Sequence, residues 1–293
     1  MRVAIYSRVI DLDYLNEIQD LFRELELHHI EPVIYQPFLE QIASSIGLAT
    51  HRLRIFRESE DLDESIDCII SLGGDGTLLD TVTLVRHKKI PILGINFGRL
   101  GFLASIGREE LKLAVASLVD RSYVIDSRSL IHLDADKHLF GDTPYALNEF
   151  AIHKTDISPM IKIHTYLNGE FLNTYWADGL IVSTPTGSTG YSLSCGGPIV
   201  FPESGSFVIT PVAPHNLNVR PIIVPDDNII SFEVEGRAES FICALDSRRE
   251  LVAKDIQLAV KREKFDVSIL RLNENNFLST LRKKLSWGLD TRN

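Results

Sequence analysis

This sequence contains few cysteines, no long apolar run and no excess of positive charge. The only cysteines among the 293 residues are Cys68, Cys195 and Cys243, and no two form a CxxC pair. This spacing argues against a disulfide framework and a zinc ribbon, and the absence of HExxH adds to the expectation of no structural metal site. No apolar segment approaches the roughly 18 residues of a membrane span, and MRVAIYSRVI is typical of a strand rather than a signal peptide. We therefore expect a cytoplasmic protein.

The charge balance is acidic. Thirty Lys and Arg face forty Asp and Glu, which gives a formal charge of -10. A phosphate-backbone binder needs a basic surface, so we expect neither nucleic acid nor a membrane as a partner. The apolar fraction of 44% and the charged fraction of 24% are those of an ordinary globular protein. The length suffices for one large domain or two ordinary ones.

The first 122 residues alternate apolar runs with segments of helical spacing. An apolar strand at Cys68–Leu72 and another at 90–95 are separated by a helical segment at 77–85, and an amphipathic helix follows at 109–119. Strands that alternate with helices of this length predict a parallel sheet covered on both faces. We therefore predict an α/β domain over residues 1–122.

From residue 123 to 274 the pattern changes to short segments rich in Val, Ile, Thr and Phe, separated by turn residues. Examples are Tyr145–His153, Ile161–Leu167 and Gly179–Ser183. This pattern predicts an all-β domain of antiparallel sheets. Helical spacing returns at 277–285, and we expect a C-terminal helix at about 275–287 to pack back on the first domain.

The stretch SLGGDGTLLD, residues 71–80, directly follows the apolar run Cys68-Ile69-Ile70 and carries the strand into a glycine turn. Gly73, Gly74 and Gly76 remove Cβ atoms that would keep a phosphate from the backbone N–H groups, at the edge where open α/β folds bind ligands. Asp75 would repel a phosphate unless it accepts a proton from a hydroxyl or helps to hold Mg²⁺. The plain alternative is a tight turn in which Asp75 caps the next helix. No GxxxxGKS or GxxxxGKT occurs, so this is not a P-loop.

Two further polar patterns interrupt the second half. The run from Ser183 to Ser192 is rich in Ser, Thr and Gly between two apolar segments, which favours a polar nucleotide lining over a solvated linker. Tyr191 is placed to stack on a base or to bond a phosphate. Asn148 and Glu149 are adjacent in an apolar strand, so at least one side chain must find a partner near the core. Either a structural hydrogen bond or a ribose fits that requirement.

GGDGT, then Leu147-Asn148-Glu149, then DGLIVSTPTGSTGYSLSCGGPIV resemble the ATP-NAD kinase family over nearly the whole chain. The resemblance implies an α/β domain followed by an all-β domain, and transfer of the γ-phosphate of ATP to the adenosine 2′-hydroxyl of NAD. It implies that Asp75 is the general base, that a divalent cation such as Mg²⁺ takes part, and that NAD and ATP are the partners. It also implies a homo-oligomer, dimeric or tetrameric. The nucleotide-binding residues that it implies are Gly73, Gly74, Gly76, Thr77, Asn148, Glu149, Asp178, Thr189, Gly190, Tyr191, Ser192, Leu193, Ser194 and Ala213.

The chain departs from the family pattern at three positions. Gly190 stands where TGSTAY has Ala, Ala213 where Ser is common, and Ser247 where Gly normally follows Asp246. The last change makes the tight turn at that point less certain. The loop 96–102 resembles the family's loop beside the first domain's ligand cleft.

Two other functions remain open. A diacylglycerol-type lipid kinase would share GGDG but leave 184–194 without a role. A dinucleotide sensor without catalysis would bind NAD but would convert no substrate.

Overall fold

The computed structural model describes residues 1–8, 11–46, 53–98, 101–155, 159–272 and 276–287. The chain divides into two compact units. One consists of Met1–Ser127 together with the residues from Val267 onward, and the other of Arg128–Asp266. No helix in the described ranges is both long enough and apolar enough to cross a bilayer.

The first unit is built on a sheet in the order β3-β2-β1-β4-β5-β20-β7, with β6 paired to β5. Its strands are β1 (Arg2–Tyr6), β2 (Glu31–Tyr35), β3 (Arg54–Phe56), β4 (Cys68–Leu72), β5 (Ile92–Asn96), β6 (Ile106–Gly107), β7 (Tyr123–Arg128) and β20 (Val267–Leu272). The pairs from β3 through β5 to β20 are all parallel. Strands β4 and β5 are buried along their whole length, as expected for a sheet covered on both faces.

Five α-helices accompany these strands in the described residues: four connect strands, and the last follows β20. They are α1 (Leu15–Leu27), α2 (Gln36–Ile46), α3 (Asp75–Val85), α4 (Leu111–Asp120) and α6 (Phe277–Leu285). In α1 the buried residues Ile18, Leu21, Phe22 and Leu25 follow the helical period. They share one core with residues of α2 and α4 and with one face of the sheet. This arrangement confirms the predicted α/β architecture.

The structure places one strand differently from the sequence prediction. We assigned residues 267–272 to the second domain, which we ended at 274, whereas β20 pairs with β5 in the first unit. Its residues Val267, Ile269, Leu270 and Leu272 are buried, which suits an interior strand. A six-residue segment does not encode its partner, because the pairing joins Ile269 to Ile92, 177 positions apart in the chain.

The second unit contains two antiparallel six-stranded sheets. One has the order β15-β14-β13-β10-β17-β18, and the other β12-β11-β16-β19-β8-β9. The strands are β8 (Ile131–Ala135), β9 (Tyr145–Ala146), β10 (Glu149–His153), β11 (Ile161–Leu167), β12 (Glu170–Ala177), β13 (Gly179–Ser183), β14 (Ser206–Val212), β15 (Ile222–Pro225), β16 (Ile230–Glu235), β17 (Ser240–Leu245), β18 (Arg248–Ala253) and β19 (Leu258–Arg262). A short helix, α5 (Tyr191–Ser194), follows β13.

The two sheets share one apolar core. Phe150 from β10 and Phe232 from β16 pack with ring centroids 5.7 Å apart, one residue from each sheet. Both belong to a single buried cluster that draws residues from the two sheets. The unit is therefore a β-sandwich, which confirms the predicted antiparallel class.

Candidate active site

The glycine turn of the first unit connects β4 to α3. Gly74 is the N-cap of α3, and the helix begins at Asp75 rather than near Thr77. Gly73 has a φ of 150°, and a Cβ there would collide with the Thr77 side chain, so glycine is required. At Gly74 and Gly76 a Cβ would have no neighbour within 4 Å. Both positions are exposed, which leaves the backbone of the turn open to a ligand.

Asp75 holds the loop that follows β5. Its Oδ1 accepts hydrogen bonds from the N–H groups of Leu103 (3.1 Å) and Ala104 (3.0 Å), and its Oδ2 accepts one from Phe102 (2.8 Å). The carboxylate therefore does not cap α3, so the capping alternative is wrong. A Cβ at Gly101 would collide with this carboxylate, which explains the glycine at that position. Residues 99 and 100 of the predicted loop lie outside the described residues.

Asn148 lies in a break between two strands, and Glu149 is the first residue after that break. The sequence predicted one strand over 145–153, but β9 ends at Ala146 and β10 begins at Glu149. The Asp246 carboxylate fills the break by accepting the N–H groups of Leu147 (3.0 Å), Asn148 (2.8 Å) and Glu149 (3.2 Å). The break therefore depends on a residue almost a hundred positions away, which strand periodicity does not report.

The opposite side of this break is held by the segment after β13. Thr184 donates its hydroxyl to the Leu147 carbonyl at 2.6 Å and its N–H to the Asn148 carbonyl at 2.8 Å. A Cβ at Gly187 would overlap the Asn148 carbonyl. Thr184, Gly187 and Asp246 thus position the Asn148–Glu149 pair, although sequence reasoning did not place them in the site. The motifs that contain these residues were recognised in the sequence, but their contacts with Leu147, Asn148 and Glu149 were not predicted.

The Ser- and Thr-rich run is ordered secondary structure, not a solvated linker. It forms a 3₁₀ turn at Thr186–Thr189 and then α5. Several of its hydroxyls are buried in hydrogen bonds: for example, Ser188 Oγ accepts the N–H of Val200 at 3.0 Å, and Ser192 Oγ pairs with Thr210 Oγ1 at 2.8 Å. Leu193 is half-buried and Ser194 is exposed. The run therefore uses part of its polarity in buried hydrogen bonds to neighbouring segments of the same unit.

One face of β10 carries the polar groups nearest to this run. Glu149, Ala151 and His153 alternate onto the same face. A Cβ at Gly190 would lie 3.3 Å from Glu149 Oε2, and the Tyr191 ring lies 5.6 Å from the His153 ring. The structure therefore brings Glu149, Gly190 and Tyr191 to one surface.

Glu149 has unusual electrostatics. Its Oε2 is buried and has no hydrogen-bond partner in the described part of the chain. Burial, and then the charge of Asp246, raise the pKa of the Glu149 carboxyl to about 8. Burial also raises the pKa of Asp246, but the three N–H donors oppose that rise. Glu149 is therefore largely protonated at neutral pH and offers a buried O–H donor.

The remaining predicted residues lie at other points of the same unit. Asp178 precedes β13 and pairs with Lys154 at 3.4 Å, at the opposite end of the β10–β13 ladder from Glu149. Ala213 is exposed, with a φ of 45°. The turn at Asp246-Ser247 forms as a two-residue hairpin because the positive φ, 53°, falls on Asp246. Ser247 therefore does not prevent the tight turn.

Two family models match the chain and together cover more than two thirds of it. The ATP-NAD kinase N-terminal domain matches residues 35–123, and the ATP-NAD kinase C-terminal domain matches residues 147–270. An NAD kinase of Cytophaga hutchinsonii is 50% identical, and one of Flavobacterium psychrophilum is 44% identical, both over the full length of each chain. The chain therefore belongs to the ATP-NAD kinase family.

Solved structures show the same fold. Yeast NADH kinase in complex with NADH superposes with a TM-score of 0.87 at 22% identity, covering 99% of this chain and 89% of that one. An NAD kinase from Archaeoglobus fulgidus in complex with ATP gives a TM-score of 0.76 at 24% identity, covering 98% of this chain and 99% of that one. The two-unit architecture is thus that of these kinases.

Proposed function

We propose that the protein transfers the γ-phosphate of ATP to the adenosine 2′-hydroxyl of NAD and so produces NADP. The family models and the full-length relatives named NAD kinase support this assignment. The observation that carries it is the Asp75 carboxylate at an open glycine turn, at the carboxyl edge of a parallel sheet. That turn places backbone N–H groups and an acceptor for a hydroxyl proton in one location.

Asp75 has the capacity for the role of general base. An ionised carboxylate has about four lone-pair positions, and three are used by the backbone N–H groups of 102–104. The remaining position, on Oδ2, suits one hydrogen bond from a hydroxyl. The same three bonds fix the carboxylate in place before the substrate arrives. An Asp is a weak base, so most of the rate comes from positioning and charge neutralisation.

We propose that a divalent cation enters the site bound to the phosphates of ATP. The described residues contain no group of three or more His, Cys, Asp or Glu side chains that would hold a metal alone. Mg²⁺ does not need such a group, because it keeps several waters and binds through substrate phosphates and one or two carboxylates, of which Asp75 would be one. When bound, the ion neutralises charge on the transferred phosphoryl group. The open backbone at Gly74 and Gly76 leaves space for the phosphates that carry it.

The dinucleotide is proposed to bind the second unit. Asn148 and the protonated Glu149 offer donors and acceptors that suit ribose hydroxyls and adenine edges, and Tyr191 offers an exposed ring. Thr184, Gly187 and Asp246 keep these groups in place. The further NAD contacts that we propose, from the family resemblance, involve Asp178, Thr189, Gly190, Ser192, Leu193, Ser194 and Ala213. Assembly as a dimer or tetramer is proposed on the resemblance alone.

The reaction is tested by following the phosphoryl group. The purified protein is incubated with NAD, Mg²⁺ and ATP labelled at the γ-phosphate, and the product is separated and offered to an NADP-specific dehydrogenase. We expect the label to enter a dinucleotide that this dehydrogenase reduces. A parallel incubation with diacylglycerol in place of NAD should give no labelled lipid. Tight NAD binding without any label transfer would instead identify a sensor and contradict the proposal.

A further inference from the structure

Arg8 follows directly after β1, at the same sheet edge as the glycine turn. Tyr6, the last residue of β1, is in register with Ser71 of β4. The buried Ser7 donates its hydroxyl to the Leu72 carbonyl at 2.9 Å. The ends of β1 and β4 are thus tied together one residue before Arg8 and one residue before Gly73.

The order of the strands makes this edge a crevice. In the sheet, β1 lies between β2 and β4. The chain leaves β1 toward α1 and β2, whereas it leaves β4 toward α3 and β5 on the other side. Connections that diverge in this way open a crevice outside the carboxyl ends of the two strands, and open α/β sheets bind ligands there. Arg8 lies on one side of that crevice, and Gly73 and Gly74 lie on the other.

The Arg8 guanidinium is oriented by two partners and remains accessible. Its Nη2 lies 2.5 Å from Oδ2 of Asp80 on α3, and it is hydrogen-bonded to the Tyr6 hydroxyl. Burial, and then the charge of Asp80, raise the pKa of Tyr6, so this hydroxyl keeps its proton. The Arg8 side chain is nevertheless 59% exposed. A guanidinium has five N–H donors, so these two partners leave donors for a ligand.

We infer that Arg8 binds a phosphate group of the donor nucleotide at this crevice, an inference that rests on the proposed kinase function. The glycine turn carries the negative charge of Asp75, and α3 carries that of Asp80 one turn further along. Backbone N–H groups bind the Asp75 carboxylate, whereas Arg8 pairs with Asp80 and keeps further N–H donors exposed. A triphosphate needs a cation beside the turn, and a guanidinium binds phosphate oxygens bidentately.

The variant Arg8→Gln tests this role through the separate kinetic constants. We expect the KM for ATP to rise on the order of 10- to 100-fold, because a charged hydrogen-bond pair to phosphate is lost. The KM for NAD should stay within about twofold, since only a donor contact is removed. Arg8→Lys keeps the charge without the fork, so its KM for ATP should lie between those of the wild type and Arg8→Gln. Arg23→Gln is the matched control, because Arg23 is also exposed and pairs with an aspartate, Asp20, at 2.6 Å.

A second variant separates phosphate binding from a structural role. If Arg8 only held α3 through Asp80, Asp80→Asn would raise the KM for ATP as much as Arg8→Gln does. We expect Asp80→Asn to leave the KM for ATP well below that of Arg8→Gln, because it removes negative charge and retains the guanidinium. The thermal midpoints of both variants are compared in the same experiment. Equal KM values for ATP in the two variants, or an unchanged KM in Arg8→Gln, would overturn the inference.

Equilibrium binding of inorganic triphosphate, measured without NAD, distinguishes this inference from the proposed function. We expect the wild-type protein to bind triphosphate and Arg8→Gln to bind it on the order of 10-fold more weakly. Loss of binding in Arg8→Gln, in a protein that makes no NADP, would contradict the kinase function and retain Arg8 as a phosphate-binding residue. Equal binding by both proteins, with normal NADP formation, would overturn the role of Arg8 alone.

Discussion

At the scale of single residues, the acid–base state of Glu149 depends on its burial. A carboxyl with an ordinary pKa is ionised at pH 7, but here burial and Asp246 raise the pKa to about 8. Oε2, which has no hydrogen-bond partner among the described residues, lies 3.3 Å from the point where a Cβ at Gly190 would stand. The absence of a Cβ at 190 therefore leaves room for a ligand atom or water next to this donor.

The raised pKa of Glu149 predicts a pH-dependent free energy of unfolding. The folded form holds the proton more tightly than the unfolded form, so this contribution is complete below about pH 4.5 and is lost as the pH rises through about 8. Between pH 5 and pH 9 the wild type should lose about 2 to 4 kcal/mol relative to Glu149→Gln, which stays neutral. Urea denaturation of both proteins at several pH values measures this difference. Parallel stability curves would contradict the assignment.

The sequence predicted some residues of the candidate site but not the contacts that hold them. The sequence pattern predicted that Asp75, Asn148 and Glu149 belong to a functional site, because these polar residues interrupt a glycine-rich turn or an apolar strand. It did not predict that Asp75 binds three N–H groups of the 102–104 loop or that Asp246 binds three of 147–149. Such contacts join residues that are distant in the chain, and the local sequence carries no record of them.

At the scale of elements, the segment after β13 acts as a clamp on the strand break at 147–148. The Thr184 hydroxyl donates to the buried Leu147 carbonyl and accepts the Gly187 N–H at 3.1 Å. One hydroxyl thus joins the Ser- and Thr-rich run to the Asn148–Glu149 pair. Such buried bonds order the run, for which a solvated linker was the less favoured of the two sequence interpretations.

The clamp predicts a stability cost when its hydroxyl is removed. Thr184→Val leaves the Leu147 carbonyl without its side-chain donor in a buried position, and we expect a loss of about 1 to 3 kcal/mol. Thr184→Ser keeps the hydroxyl and should lose less than about 1 kcal/mol. Urea denaturation gives both values. A larger loss in Thr184→Ser than in Thr184→Val would mean that the methyl group, rather than the hydroxyl, stabilises the segment.

Hydrophobic periodicity predicted the bounds of some strands but not of others. The bounds of Cys68–Leu72, Ile161–Leu167 and Gly179–Ser183 agree with the sequence prediction, because each is an apolar or alternating segment next to turn residues. The break at 147–148 and the sheet membership of Val267–Leu272 were not predicted. Both are decided by tertiary partners, which override the local pattern.

At the scale of the whole molecule, the proposed function draws on residues of both units. The first supplies Asp75, the open glycine turn and Arg8. The second supplies Asn148 and Glu149 with the three residues that hold them. The family and the two-unit architecture could be predicted from three motifs in order, whereas the support around each motif required the structure.

The most direct test of this account compares NADP formation by the wild type and by Asp75→Asn. Both purified proteins are supplied with NAD, ATP and Mg²⁺, the product is read by an NADP-specific dehydrogenase, and NAD affinity is measured separately at equilibrium. The account predicts that kcat falls on the order of 10² to 10⁴ in the variant while NAD affinity is largely retained. Near-normal turnover by Asp75→Asn would contradict it and remove Asp75 from the mechanism.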